Sequence, residues 1–416
     1  MKMAINKTAE DKTRALGALE RTFWLVDQKV HFALCAVITG VDRTTDWQGA
    51  LDQVQARHFM LRARIEEIPG SAPCFSFAEP ATPIPLRIVE AASTEFWSVE
   101  VGVELTQCFD RFATPLMRAV VVQAPDEAAL ILVTHHTIAD GMSLAFLMRD
   151  MLQALSGEQL RPLPCPPSQD TLLSVEPDAQ SKNDAQLPAL PDPPPMLSAR
   201  DRARPSVQGV RLEPGMTSRL REHARRESSS VQGALCTAFE IAGRKSLPGW
   251  QQKSVRILSP FDTRSIVGVG EECGLFVDAV ATGFEAGTGS FWEKARQASA
   301  NIAAGRNRTN VEASTSLLQA MLLRHSDIAA VSKFERAAFA REAMITNLGV
   351  LPFSGSFGRL KLKAIWGPAL LEGFADEHTI GAATLDGALY LTHATYAPDS
   401  GLLMAMRREL AAAVSP

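Results

Sequence analysis

Apolar positions along this chain alternate between two periods, and the points where the period changes mark the ends of its elements. "VHFALCAVITG" (Val30–Gly40), "LMRAVVVQA" and "AALILVT" are short runs dense in branched residues, the pattern of buried strands. Ala129–Thr134 is apolar on both of its faces, which predicts a central strand covered on both sides. Between these runs, "DWQGALDQVQARH" (Asp46–His58) carries one apolar helical face with Thr45 placed to cap it. "GMSLAFLMRDMLQAL" (Gly141–Leu155) has helical spacing at Leu144, Leu147, Met148, Met151 and Leu155. Short strands are predicted around "LRARIEE" and "PLRIVE", and a helix over "EFWSVEVGVELTQ".

The pattern stops between about Arg161 and Pro205, where "RPLPCPP" and "LPALPDPPPMLSARDRARP" bracket a polar stretch. Proline-dense segments continue neither helices nor central strands, so this stretch reads as a crossover. Beyond it the alternation resumes. Strands are predicted over "VQGVRLEP", "SVRILSPFDTR", "GLFVDAVATGF", "EAMITNLGVLP", "RLKLKAIWG" and "TIGAATLDGALYLTHATY". Helices are predicted on both sides of the serine run at Ser228–Ser230, over "SFWEKARQASANIAAGR" and "EASTSLLQAMLL", and over the closing "SGLLMAMRRELAAAV". The expected architecture is α/β: two sandwich lobes with mixed sheets, residues 1–160 and 207–416, joined by a proline-rich linker at 161–206. A chain of 416 residues suits that division, because one hydrophobic core usually stops growing at about 250–300 residues.

The chemistry concentrates at one junction. In "ILVTHHTIADGMS" (Ile131–Ser143) an apolar strand runs into His135 and His136, then Asp140 and Gly141 at the start of a helix. Side chains alternate across a strand, so the two rings are expected on opposite faces, one toward a cleft and one toward packing. A neutral imidazole is a competent general base, and the positive end of the following helix favours the neutral form. Asp140 can either orient a histidine or pair with a buried cation to hold the turn. Gly141 suits a sharp turn. Locally, the same residues could also be a metal site or hydrogen-bonded polar groups at a strand end. Arg264, directly after the strand in "SPFDTR", is a candidate partner for a buried carboxylate.

Composition narrows the classes. A formal charge of -4 without basic blocks argues against a nucleic-acid partner, whose phosphates would need neutralising. Cys35, Cys74, Cys108, Cys165, Cys236 and Cys273 are scattered without a C-x-x-C pair and read as buried thiols of a reducing compartment. The amino terminus lacks an apolar signal core, and no apolar run approaches the ~20 residues that span a bilayer, so a cytoplasmic protein is expected. "GVGEECG" misses the G-x-G-x-x-G spacing, and G-x-S-x-G, Walker and H-E-x-x-H sequences are absent. His31, His58, His223, His325, His378 and His393 stand alone and read as structural or surface residues.

"HHTIADG" matches H-H-x-x-x-D-G in full and resembles the acyltransferase superfamily that includes condensation domains of nonribosomal peptide synthetases, mycobacterial polyketide-associated acyltransferases, plant BAHD enzymes and chloramphenicol acetyltransferase. "ALDQVQARHFMLRARI", "SPFDTRS", "CGLFV" and "TNLGVLP" are similar to further landmarks of that superfamily, so the resemblance covers nearly the whole chain. It implies two chloramphenicol-acetyltransferase-like lobes forming a pseudo-dimer around a central tunnel. It also implies His136 as general base, His135 packed behind the turn, Asp140 structural and ion-paired with Arg264, and Asn347 along the tunnel. The implied donor is an acyl thioester on coenzyme A or on the phosphopantetheine of an acyl carrier protein; the acceptor is an alcohol or amine, with no bound cofactor and no metal. The D-F-G-W-G motif of the plant branch is missing, and no adenylation or carrier segment accompanies the lobes. The expectation is therefore a free-standing, monomeric acyltransferase of lipid or natural-product biosynthesis, forming esters. Two alternatives compete with it: an amide-forming condensation enzyme, and a non-catalytic module of the same fold that docks a carrier protein.

Overall fold

The structure is a computed structural model. It describes residues 13–415 apart from 27–29, 68–71, 78, 111, 176–193, 199, 204, 288, 325–326 and 398–400. His325 and much of the expected linker lie outside the described residues.

Two six-stranded mixed sheets carry the molecule. At the centre of the first are β2 (His31–Thr39) and β7 (Glu127–His135), antiparallel with Val133 opposite Ala33 and His135 opposite His31. Every side chain from Ala128 to Thr134 is fully buried, as expected for a central strand. β6 (Met117–Gln123) and β5 (Leu86–Glu90) extend this sheet on one side. On the other side stand β13 (Leu360–Leu370) and β12 (Ser356–Phe357), which come from the far end of the chain. Helices α2 (Trp47–Arg57) and α4 (Gly141–Leu155) pack together over the sheet, and α3 (Trp97–Glu104) packs against β2, β6 and β7. The cap of α2 is Asp46, which accepts from the Gly49 N–H at 2.9 Å; the expected cap, Thr45, instead accepts from the Asp42 N–H. A small sheet of β1 (Thr13–Ala15), β4 (Cys74–Phe77) and β3 (Ala63–Glu66) lies beside helix α1 (Ala18–Leu25).

The second sheet runs β10 (Val277–Phe284), β9 (Val255–Asp262), β11 (Ala343–Val350), β14 (His378–Leu385), β15 (Ala388–Thr395) and β8 (Ser206–Leu212). Helices α7 (Val231–Ser246), α9 (Phe291–Gly305) and α12 (Leu402–Ala413) pack on one another and share its core, with α6 (Pro214–Arg226) against β15. α10 (Arg308–Arg324) follows α9, and the short α5 (Gln169–Leu173) packs against it. The chain then forms α11 (Ile328–Ala338), a helix beyond those expected from sequence; Asp327 caps it by accepting from the Ala330 N–H at 2.8 Å.

The segment expected to be the carboxy-terminal lobe, 207–416, thus gives two strands to the first sheet. β13 also packs against β14 and β15, and Trp366 stacks on Trp97 with centroids 5.2 Å apart. The two sheets approach so closely there that a Cβ on Gly381 would lie 2.1 Å from the Pro368 carbonyl oxygen. Among the described residues, no helix is long and apolar enough to cross a membrane.

Candidate active site

The strand pairing of β7 persists to its last residues: the His135 N–H donates to the Leu116 carbonyl at 2.9 Å and the His136 N–H to the Val30 carbonyl at 2.7 Å. The backbone is therefore extended through both histidines, and their rings diverge. His135 is buried, its Nδ1 accepts from the Thr137 N–H at 3.2 Å, and its ring meets the edge of Phe109. His136 lies between two aromatic faces, Phe32 of β2 at 4.3 Å and Phe23 of α1 at 4.8 Å, both stacked on it. Its Nδ1 is 3.1 Å from the Ala139 carbonyl oxygen. A carbonyl can only accept, so this contact puts the proton on Nδ1 and leaves the Nε2 lone pair free. Burial among apolar walls lowers the ring's pKa to about 4, against weaker opposing pulls from Asp140, the Ala139 carbonyl and Glu372. The imidazole is neutral at physiological pH.

Asp140 ends the turn and starts α4. One carboxylate oxygen accepts from the Ser143 N–H at 2.7 Å, capping the helix. The other accepts from the Phe276 N–H at 2.8 Å and from Arg264 Nη1 at 2.7 Å. Arg264 opens the one-turn helix α8 (Arg264–Val267) after β9, and it also binds Asp262 at 2.9 Å and the Ser143 hydroxyl at 3.0 Å. Its guanidinium lies 5.0 Å from the Phe276 ring centroid. The carboxylate's donors are thus backbone amides and Arg264, and the Asp140–Arg264 pair ties the motif of the first sheet to β9 of the second. Gly141 does not supply the turn's sharpness, because its φ is not positive. Its role is close approach: a Cβ there would sit 2.8 Å from Leu348 and 3.2 Å from Pro368.

A cavity of about 270 Å³ opens beside His136, walled by residues of both lobes that include Phe32, Leu258, Met344, Pro368 and Leu370. Asn347 is not on this wall. Its neighbours Met344 and Thr346 are, and strand alternation turns Asn347 to the opposite side. There its Oδ1 accepts from the Gly349 N–H at 2.9 Å, beside the break in β11–β14 register, so the expected tunnel position is corrected to a turn-forming one.

Polar groups that the sequence did not single out also line the cavity: Asp278, Glu335, Arg341 and Glu372. Burial pushes the Asp278 carboxyl up to about 6. Phe23 and Phe32 were equally hidden, since only the fold brings them to the motif. The signal available for Glu335 is an acidic residue between Phe334 and Ala338 on the apolar face of a capped helix. Cys35, Cys236 and Cys273 are buried as expected, whereas Cys74 and Cys165 are partly exposed and Cys108 is exposed. Among the described residues, no three His, Cys, Asp or Glu side chains are grouped to hold a metal ion.

Comparison with known proteins fits this architecture. The condensation-domain family model matches residues 27–314. Cyclosporin synthetase simA of Tolypocladium inflatum is 30% identical over 163 residues, 36% of this chain and 1% of that protein; in its matches to this and two further peptide synthetases, this chain spans 1–4% of their length. Polyketide synthase associated protein 5 from Mycobacterium tuberculosis superposes with a TM-score of 0.64 at 16% identity, covering 97% of this chain and 98% of that one. The first condensation domain of the calcium-dependent antibiotic synthetase superposes with a TM-score of 0.66 at 13% identity, covering 97% and 95%. The two structural likenesses extend over both sheets. With two thirds of its length under one family model and nearly all of it under one fold, the chain belongs to the condensation-domain family.

Proposed function

We propose that the chain catalyses acyl transfer from a thioester to an amine or hydroxyl acceptor, in biosynthesis of the nonribosomal peptide or polyketide type. The observation that carries this reading is His136: neutral, fixed between two rings, and lining a cavity of about 270 Å³ with its Nε2 lone pair unused. In the reaction the acceptor's N–H or O–H proton passes to Nε2 as its heteroatom bonds to the thioester carbonyl carbon. The proton then goes to the sulfur as the C–S bond breaks, releasing a thiol. A pKa of about 4 keeps Nε2 unprotonated, at the cost of intrinsic basicity. The positive charge it gains in the transition state is stabilised by the nearby Asp140 and Glu372 carboxylates. The donor is read as coenzyme A or a carrier-borne phosphopantetheine. The peptide-synthetase relatives bring amine acceptors level with the alcohols favoured by sequence.

The test is intact-mass detection of acyl transfer from a panel of acyl-coenzyme A and loaded carrier proteins to amine and alcohol acceptors. His136→Ala is expected to lower turnover about 10²–10⁴-fold, the usual worth of a positioned base. Unchanged turnover in that variant would overturn the assignment.

A further inference from the structure

A second chamber adjoins the cavity beside His136, and the two share Val30, Glu335 and Glu372 in their walls. At this shared wall three acidic side chains gather around one buried arginine. Glu377 is held by the backbone N–H groups of Glu372 at 2.9 Å, Gly373 at 2.8 Å and Phe374 at 3.2 Å. Glu372 accepts from Arg341 Nη2 at 2.5 Å, and Arg341 spends another donor on the Phe339 carbonyl. Glu335 differs. It is only 8% exposed, it lines both chambers, and no hydrogen bond or ion pair to the described residues holds its carboxyl. The adjacent Arg336 turns its Nε to the Ser332 carbonyl at 3.1 Å.

Buried polar groups are nearly always provided with partners, so an unprovided carboxyl aimed into a cavity marks the place where a ligand group belongs. Its sign is set by the surroundings. Three carboxyl groups stand against two guanidiniums, Arg341 already engaged by Glu372 and Arg336 on the wall of the second chamber, so a cation completes the charge balance. Phe334, Phe339, Leu318 and Leu370 supply apolar walls for a methylene stem behind such a group.

We propose that Glu335 binds a cationic group, a primary ammonium on an alkyl stem, carried by the substrate that occupies these chambers. It would make the site selective for chains with a basic end. Calling that ligand a substrate rests on the acyl-transfer reading; the binding itself does not. Burial and the neighbouring Glu372 carboxylate hold the Glu335 carboxyl above the usual carboxylate range. Arrival of an ammonium therefore ionises it, with the carboxyl proton released to solvent.

The experiment is calorimetric titration of the full chain with pentylammonium and with 1-pentanol, in buffers of different ionisation enthalpy. The wild type is expected to bind pentylammonium at least ~10-fold tighter than the alcohol, and its heat should vary with buffer as a proton leaves. Glu335→Gln should lose the preference and the buffer dependence while keeping the wild-type circular dichroism; Glu335→Asp should keep part of both. His136→Ala should retain the preference even where transfer stops, so failure of the catalytic reading and failure of this one are read separately. Equal affinities, binding of neither probe, or an undiminished preference in Glu335→Gln would each overturn the proposal.

Discussion

Asp140 and Glu335 are both buried acidic side chains, one in the turn after His136 and one on the wall of the cavity, and they are provisioned in opposite ways. Asp140 has two backbone amides and a guanidinium converging on its two oxygens. Glu335 has no such donors among the described residues. Desolvation is common to both; the donors make the difference. A saturated carboxylate is a fastening, with nothing left over to offer a substrate. An unsaturated one costs stability and keeps its binding capacity for something that enters.

The sharpest way to break the comparison is to strip the fastening. Arg264→Ala leaves Asp140 buried without its cation and is expected to lower unfolding free energy by about 3–5 kcal/mol, measured by chemical denaturation. An unchanged denaturation midpoint would mean that the backbone amides alone suffice. Stability against pH probes the other carboxyl. The Glu335 pKa is raised above its ordinary 4.5 in the folded state, so its contribution is full below that value and is lost as pH rises toward the folded pKa. His136 has the opposite sign: its pKa is lowered from 6.5 to about 4, so its contribution is present above 6.5 and is lost as pH falls through that window. Glu335→Gln should therefore gain on the wild type in melting temperature as pH rises above about 5, with Glu377, raised for the same reason of burial, supplying the loss that remains. A constant difference across pH would show that Glu335 is not held protonated by the fold. The smallest effect is expected at Asn347→Ala: about 0.5–1.5 kcal/mol for one turn hydrogen bond, and acyl transfer within about twofold of wild type. A large loss of transfer in a well-folded variant would return Asn347 to the substrate path.

What could be read from the chain depended on how local the cause was. β7, α4 and the strand-to-helix turn between them are written in consecutive residues, and the divergence of His135 and His136 follows from alternation alone. Which ring faces the substrate, and that Arg264 reaches Asp140, came from resemblance, since residues more than a hundred positions apart leave no local pattern. The aromatic clamp of Phe23 and Phe32 and the acidic cluster at Glu335 were not legible for the same reason. α11 could have been found: Ile328, Val331, Phe334 and Ala338 follow a capping Asp327. Residue type suggests a sharp turn at Gly141 and the resemblance implies a tunnel position for Asn347, whereas the φ of Gly141 is not positive and Asn347 is not among the residues walling the cavity.

The strand Leu360–Leu370, drawn from late in the chain into the first sheet, has a consequence for engineering. The lobes look like interchangeable parts, yet a chimera joined near residue 206 would take away β13, which pairs with β2, and β12 beyond it, leaving the backbone amides and carbonyls of β2 as a raw edge. Fragments cut in the linker should be made together, since the second half holds two strands of the first half's sheet. Recombination between relatives should succeed only where this crossing strand travels with the sheet it completes.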